Sequence, residues 1–174
     1  SPNPTSNQSF TRISILKKLL DSAGVSSGEN PDDKASPQHK AMKWLADDDT
    51  LNIDVSALNL GAIIQRYILV VLYFSSAGEN WTDHLGFLNQ DEPINGQHEC
   101  EWFGVVCDGT TITGLNLASN NLRGTLPTEL GQLTALTTLW LHNNALTGSI
   151  DFLCTINIRS LVFDRNKLEC SCCP

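Results

Sequence analysis

The sequence predicts an α+β fold: a helical N-terminal region followed by a short right-handed solenoid with a parallel β-sheet on its concave face. Three observations support this class. A nine-residue apolar pattern occurs three times between Ile112 and Asn166, and stretches with helical spacing of apolar residues come before it. All six cysteines lie in the last 75 residues. A chain of 174 residues is long enough to bury a sizeable core.

The pattern begins as ITGLNLASN at residues 112–120, returns at residues 136–144 and returns again, less completely, at residues 158–166. The asparagines that close the three copies are 24 and then 22 residues apart. A motif L-x-x-L-x-L-x-x-N with a period of about 20–29 residues is the signature of a leucine-rich repeat. The chain is therefore expected to contain about three such repeats.

The apolar positions of each repeat are expected to point inward and to stack on their counterparts, so that Leu115 lies over Leu139 and Leu161. Each such side chain contributes about 1.5–3 kcal/mol when it is fully buried. The closing asparagine follows the strand, where its amide can donate to and accept from backbone groups of the turn. We assign these asparagines a structural role and no role in binding.

Composition excludes several classes of partner and activity. The formal charge of −8 and the pI near 4.8 argue against nucleic acid and anionic membrane surfaces, which require a basic face. The acidic excess lies mainly in residues 1–99, which leaves the repeats nearly neutral. No catalytic, phosphate-binding or metal-binding motif is present, so we expect no enzyme activity, no cofactor and no metal.

The first two helices are predicted from spacing and capping signals. Residues 1–9 are polar and are expected to be frayed, and an amphipathic helix is predicted over residues 11–22. After a polar loop at residues 24–33, Ser36 and Pro37 form an N-cap and first turn of a second helix. That helix is predicted to end at the acidic residues 47–49, which we interpret as a solvated helix end rather than a calcium loop.

A third helix is predicted over residues 58–76, with Gly78 as its left-handed C-cap. Its apolar residues cover most of its circumference, so it must be buried nearly all round. The longest apolar run is eight residues, too short to span a membrane. The absence of an initiating Met suggests a processed piece of a larger protein.

The cysteines flank the repeats, which is typical of disulfide-sealed ends in an oxidising compartment. Cys100 and Cys107 are close enough in sequence to pair. Among the other four, Cys154 aligns with Leu130 and is expected to take an inward position, and we favour its pairing with Cys172 or Cys173, with Cys170 bonded to the other. A zinc site built from these four thiolates is the alternative, although their spacing differs from that of the usual zinc knuckle.

The segment from Cys100 to Asp108, CEWFGVVCD, resembles the N-terminal cap of plant-type leucine-rich repeat receptor-like proteins. Residues 36–45, residues 66–81 and the CSCC ending are similar to the members found in diatoms and other stramenopiles. The resemblance implies a helical N-terminal region and cap at residues 1–109, repeats at 110–168 and a Cys-rich cap at 169–174. Asp151 departs from the proline that the family pattern has at this position.

Side chains between the inward leucines are expected to line the concave face. An exposed Trp beside polar and charged groups has the composition of a binding hot spot, and the alternative is that Trp140 rests on its neighbours. We interpret His142 and Asp164 as a surface pair, because no nucleophile accompanies them. The candidate ligand-binding residues are Asn116, Thr138, Trp140, His142, Asn143, Val162, Asp164 and Arg165.

The resemblance implies an extracellular or cell-surface recognition module that binds a protein or peptide ligand, with a co-receptor as a further partner. Because about three repeats offer only a small concave face, a large ligand would also need the cap helices, another partner or a second copy of the chain. Any membrane attachment would come through a segment absent from this chain. The alternatives are a secreted inhibitor of a cell-wall hydrolase and a structural or adhesive matrix protein. Two glycosylation sequons, at Asn7 and Asn80, fit passage through the secretory pathway.

Overall fold

A computed structural model describes residues 6–25, 33–49, 54, 60–88 and 98–173, and for residues 6–10 it describes the backbone only. Within these residues, three α-helices come first and seven short strands follow. The helices are α1 (Ser6–Ser22), α2 (Pro37–Asp47) and α3 (Leu60–Ser75). The strands are β1 (Val105–Asp108), β2 (Thr111–Asn116), β3 (Arg123–Thr125), β4 (Thr138–Trp140), β5 (Ala145–Ser149), β6 (Ser160–Val162) and β7 (Lys167–Glu169).

Helix α1 begins earlier than predicted. Residues 6–9, which were expected to be frayed, already belong to the helix. Helix α2 has the predicted start: Ser36 accepts a hydrogen bond from the His39 N–H at 3.1 Å, and Pro37 occupies the first turn. The predicted loop at residues 24–33 and the predicted first turn of α3 lie mostly outside the described residues.

The prediction for the end of α3 is wrong in its capping residue. Ala77 has the left-handed conformation, with φ of 55°, and Gly78 does not. Gly78 is needed for space instead, because a Cβ at this position would collide with the ring of Tyr73. Glycine is therefore required at position 78 because of close packing, and not because the backbone there has a left-handed conformation.

The strands form two sheets, one of which the sequence did not predict. The first sheet has the order β1-β2-β4-β6, and the second has the order β3-β5-β7. The pairs β2–β4 and β4–β6 are parallel, as expected. The expectation of a wholly parallel sheet is wrong at its beginning, because β1 pairs with β2 in the antiparallel direction.

The leucine ladder forms the core of the repeats. Leu115 aligns with Leu139 and Leu139 with Leu161 across the first sheet, and the first two side chains are fully buried. Helix α3 is also buried nearly all round, with Ile68, Leu69 and Val70 inaccessible to solvent. One continuous core thus joins the helices to the repeats.

The closing asparagines connect one coil to the next, as predicted. The side-chain oxygen of Asn144 accepts from the N–H groups of Asn120 and Leu122 at 3.0 and 2.9 Å, and its amide nitrogen donates to the Leu117 and Leu141 carbonyls. At the front, no coil precedes Asn120. Its side-chain oxygen accepts instead from the Asp83 N–H at 2.7 Å.

A buried ionic cluster joins the helices to the first strand. The guanidinium of Arg66 donates to both carboxylate oxygens of Asp49, at 2.8 and 2.7 Å, and to Glu99 at 3.2 Å. Its Cζ atom lies 5.3 Å from the ring centroid of Trp44 and 4.7 Å from that of Trp102. The interpretation of residues 47–49 as a solvated helix end is therefore wrong for Asp49, whose side chain is fully buried.

Replacing Arg66 by leucine should lower the free energy of unfolding by about 3–5 kcal/mol, because Asp49 and Glu99 would stay buried without their cation. Urea denaturation of the wild type and the variant measures this difference. Arg123→Leu is the matched control, since Arg123 is exposed on β3, and its effect should stay within about 0.5 kcal/mol. A loss below about 1 kcal/mol for Arg66→Leu would show that the cluster does not hold the cap to the repeats.

Candidate functional site

The outer face of the first sheet is the surface that points away from the leucine core. The register places Asn116 beside Trp140 and Trp140 beside Val162, in one row across three strands. A second row runs through Gly114, Thr138 and Ser160. Because side chains alternate along a strand, both rows face away from the buried Leu115 and Leu139.

Trp140 is the main apolar group of this face. The residue is 38% exposed, and its indole N–H donates to the hydroxyl of Ser160 at 2.9 Å. The ring thus rests against the neighbouring strand and still presents a large surface to solvent.

Val106 is a residue of this face that the sequence analysis missed. It is 55% exposed and lies opposite Gly114 in the antiparallel pair of β1 and β2. Gly114 leaves room for it, since a Cβ there would lie 3.2 Å from the Val106 Cβ. The sequence carries no alternating signal here, because Val105 and Val106 are identical in type and only the structure shows that the first is buried and the second exposed.

The edge of the face is formed by three residues that share an unusual conformation. Ser119, Asn143 and Arg165 each precede a closing asparagine, and their φ angles are 54°, 58° and 57°. All three side chains are exposed, and the Asn143 amide donates to the Ser119 hydroxyl at 3.2 Å. The repeated left-handed turn therefore sets the direction of this polar row.

The predicted pairing of His142 with Asp164 is not formed: no hydrogen bond or ion pair joins the two side chains in the described part of the chain. His142 is half-buried, and its Nδ1 atom is buried without a hydrogen-bond partner among the described residues. Asp164 is exposed, and its carbonyl accepts from the Asn143 N–H at 3.0 Å. The two residues contribute separately to the face.

The cysteines form three disulfides: Cys100–Cys107, Cys154–Cys172 and Cys170–Cys173. The expectation of an inward Cys154 is wrong. Leu153 fills the position equivalent to Leu130 and is buried, while Cys154 is exposed. The segment from Asn144 to Leu153 is one residue shorter than the segment from Asn120 to Leu130, which shifts the alignment at this point.

Two groups of side chains among the described residues are close enough together to hold a metal ion. One is Cys170, Cys172 and Cys173, and the other is Asp151, Cys154 and Cys172. Their thiolates are consumed in disulfides, so the zinc alternative has no ligands to use. Asp151 has a different contact, since its carboxylate accepts from the Ser171 N–H at 2.7 Å. This bond lowers the pKa of Asp151 below 3.8, so the contact stabilises the cap above that pH and is lost as the pH falls through the folded value.

Of the two predicted sequon asparagines, only Asn80 has a side chain that the structure describes. Asn80 is exposed in a short 3-10 helix after α3, and Thr82 of the same sequon is exposed. The neighbouring Trp81 is buried, with its indole N–H bonded to the Ser76 carbonyl at 3.0 Å, so the sequon is anchored to the core. The Asn7 side chain lies outside the described residues, although its backbone belongs to α1.

A cavity of about 660 Å³ lies on another side of the molecule, between the start of α2, the end of α3 and the loops that follow β3 and β5. Phe74 and Phe152 are among its apolar lining residues. At its inner end the buried Gln38 amide donates to Glu129 at 2.9 Å. No motif pointed to this cavity, because its walls come from four segments distant in sequence.

Comparison with known proteins supports a leucine-rich repeat fold. Residues 111–133 match the family model described as Leucine Rich Repeat. This stretch contains β2, the first closing asparagine and the turn that follows it. Together with the stacked coils, the match defines the class of the fold.

The similar proteins include plant receptor kinases. The chain is 53% identical over 52 residues to the LRR receptor-like serine/threonine-protein kinase FEI 2 of Arabidopsis thaliana, covering 29% of this chain and 9% of that protein. It is 45% identical over 62 residues to the receptor protein kinase WSS1 of Oryza sativa subsp. japonica, covering 34% and 7%. It is 41% identical over 99 residues to the probable inactive receptor kinase RLK902 of Arabidopsis thaliana, covering 51% and 15%. The chain thus spans only a small part of these relatives.

Among solved structures, the Arabidopsis receptor kinase HAESA, in complex with the peptide hormone IDA and the co-receptor SERK1, is similar with a TM-score of 0.44 and 28% identity. The similarity covers 63% of this chain and 18% of that one. At this level it adds nothing to the assignment of the fold. Among the described helices, none combines the length and the apolar character needed to cross a bilayer.

All six cysteines should be unavailable to a thiol reagent when the protein is unfolded without a reductant, and six thiols should react after reduction. The physical reason is that each sulfur is bonded in one of the three disulfides. A colorimetric thiol assay in denaturant measures both numbers. Any free thiol before reduction would contradict the pairing.

Proposed function

We propose that this chain is an extracellular recognition module that binds a protein or peptide ligand through the outer face of its first sheet. The observation that carries the proposal is Trp140, exposed and oriented by Ser160 at the middle of that face. Trp and Arg are the residues most enriched at the centres of protein interfaces. Arg165 lies at the edge of the same face, one coil further on.

The surroundings of Trp140 suit a peptide or a protein loop. Apolar Val106 and Val162 lie on either side along the sheet, and the polar groups of Asn116, Thr138 and Asn143 complete the surface. Such a mixture of a central apolar anchor and a polar rim is typical of protein interfaces. The face spans only four strands, so a large ligand would require a second contact surface.

The similarity to plant receptor kinases supports a receptor-like role over an inhibitor or a matrix component. The matched segments lie in a chain with three disulfides, which form and persist in oxidising compartments. We propose an extracellular or cell-surface location on these grounds. No observation on this chain favours the inhibitor of a cell-wall hydrolase.

Replacing both Trp140 and Arg165 by alanine should weaken binding of a captured ligand at least tenfold, which corresponds to about 1.4 kcal/mol. The ligand is obtained by affinity capture from the extracellular medium on the immobilised wild-type chain, and its Kd is then measured by calorimetry. Arg123→Ala is the control, because Arg123 is exposed but lies on the second sheet. A Kd unchanged by the double substitution would place the binding site elsewhere.

Glycosylation of Asn80 tests the proposed location. We expect the protein recovered from the native secretory pathway to lose mass on treatment with an N-glycosidase, and Asn80→Gln to lack the corresponding glycan. Asn80 and Thr82 are both accessible, which N-linked transfer requires. Asn7→Gln tests the other sequon separately. An intact mass without any glycan at Asn80 would remove this support for secretion.

A further inference from the structure

The cavity between the helices and the repeats is lined by groups whose burial and chemistry change with depth. At its inner end, Gln38 is 5% exposed and Glu129 is 1% exposed. The aromatic side chains of Phe74 and Phe152 are half-buried and form part of the walls. The rest of the polar lining includes four exposed residues, which are Thr125, Thr128, Gln132 and Thr155. The cavity therefore has a buried polar end, apolar walls and a polar mouth.

One hydrogen-bond acceptor at the buried end has no donor. The Gln38 amide nitrogen donates to the Glu129 carboxylate at 2.9 Å, which fixes the orientation of the amide group. The side-chain oxygen of Gln38 is buried as well, and no donor among the described residues reaches it. Leaving a buried acceptor unsatisfied costs free energy, and a ligand that donates a hydrogen bond at this point would recover it.

The electrostatics of the lining favour a cation. Among the described residues that line the cavity, Glu129 is the only one with a charged side chain. A carboxylate repels anions and makes its strongest hydrogen bonds with ionised donors. Aromatic rings attract cations over their faces. The exposed Lys40, which lies outside the lining, makes such a contact, since its Nζ atom is 5.9 Å from the centroid of the Phe74 ring.

We propose that this cavity binds a small organic ammonium compound with an apolar body. The ammonium group would donate to the Gln38 oxygen and to Glu129, and the apolar body would lie against Phe74 and Phe152. The volume of about 660 Å³ falls within the range of about 300–1,000 Å³ that is typical of small-molecule sites. The cavity is separate from the outer face of the first sheet, so this binding does not depend on the proposed protein or peptide ligand.

Titration of the unreduced chain with phenethylamine at neutral pH, followed by heteronuclear NMR, tests the proposal. The side-chain amide signals of Gln38 and the backbone amide signal of Phe152 should shift together, with a Kd on the order of 1 mM or below. Phenethyl alcohol is the neutral isostere of this amine, and phenylacetate is a similar anion. Both should bind at least about tenfold more weakly, because only the amine supplies charged donors.

Glu129→Gln removes the negative charge and keeps an acceptor for the Gln38 amide. This variant should bind phenethylamine at least about tenfold more weakly than the wild type and should no longer prefer it to phenethyl alcohol. Glu169→Gln is the matched control, since Glu169 is exposed on β7 and does not line the cavity. The control should leave the Kd of both compounds unchanged.

Gln132→Trp keeps the proposal testable if Glu129→Gln does not fold. Gln132 is exposed at the mouth, where a larger side chain should obstruct entry and weaken binding of the amine at least about fivefold. Far-ultraviolet circular dichroism checks the fold of each variant. The proposal is overturned if the wild type binds the amine no more tightly than the alcohol, or if folded Glu129→Gln keeps that preference. It is also overturned if folded Gln132→Trp binds like the wild type, or if the shifts lie only around Trp140.

Discussion

The Arg66 side chain joins parts of the chain that are distant in sequence. It binds Asp49 after α2 and Glu99 before β1, and it packs against the rings of Trp44 and Trp102. Burying these charges costs solvation energy that only good geometry and complete pairing can offset. The cluster therefore tolerates little displacement. It fixes the segment that carries the Cys100–Cys107 disulfide and, through it, the position of β1.

From β1 onward, each coil positions the next. The antiparallel pair with β1 holds β2, β2 sets the register of β4, and β4 sets that of β6. The side chain of Asn144 also connects neighbouring coils, because it bonds to backbone groups of two coils at once. Trp140 is consequently placed by the cap strand β1, which precedes it in the chain.

The repeats, the inward leucines, the asparagine ladder and the N-cap at Ser36 could be predicted from the sequence, because each follows from a local period or a local hydrogen bond. The prediction for Asp49 was wrong because its burial depends on Arg66, which is 17 residues away. Cys154 was misplaced because an alignment by period hides a shift of one residue. The second sheet and Val106 depend on pairings between short segments that lack the alternating pattern of a longer strand.

Asn120 is bound at the front as though another coil came before it. The Asp83 N–H donates to its side-chain oxygen, and the Thr82 N–H donates to its carbonyl, so a loop of the cap presents donors like those of a coil edge. At this point the cap bonds to the backbone edge and the closing asparagine that every coil presents. Tandem duplication of a single period within the gene would lengthen the outer face while every contact of both caps stayed the same. The outer face can therefore lengthen during evolution without a change in the residues that cap either end.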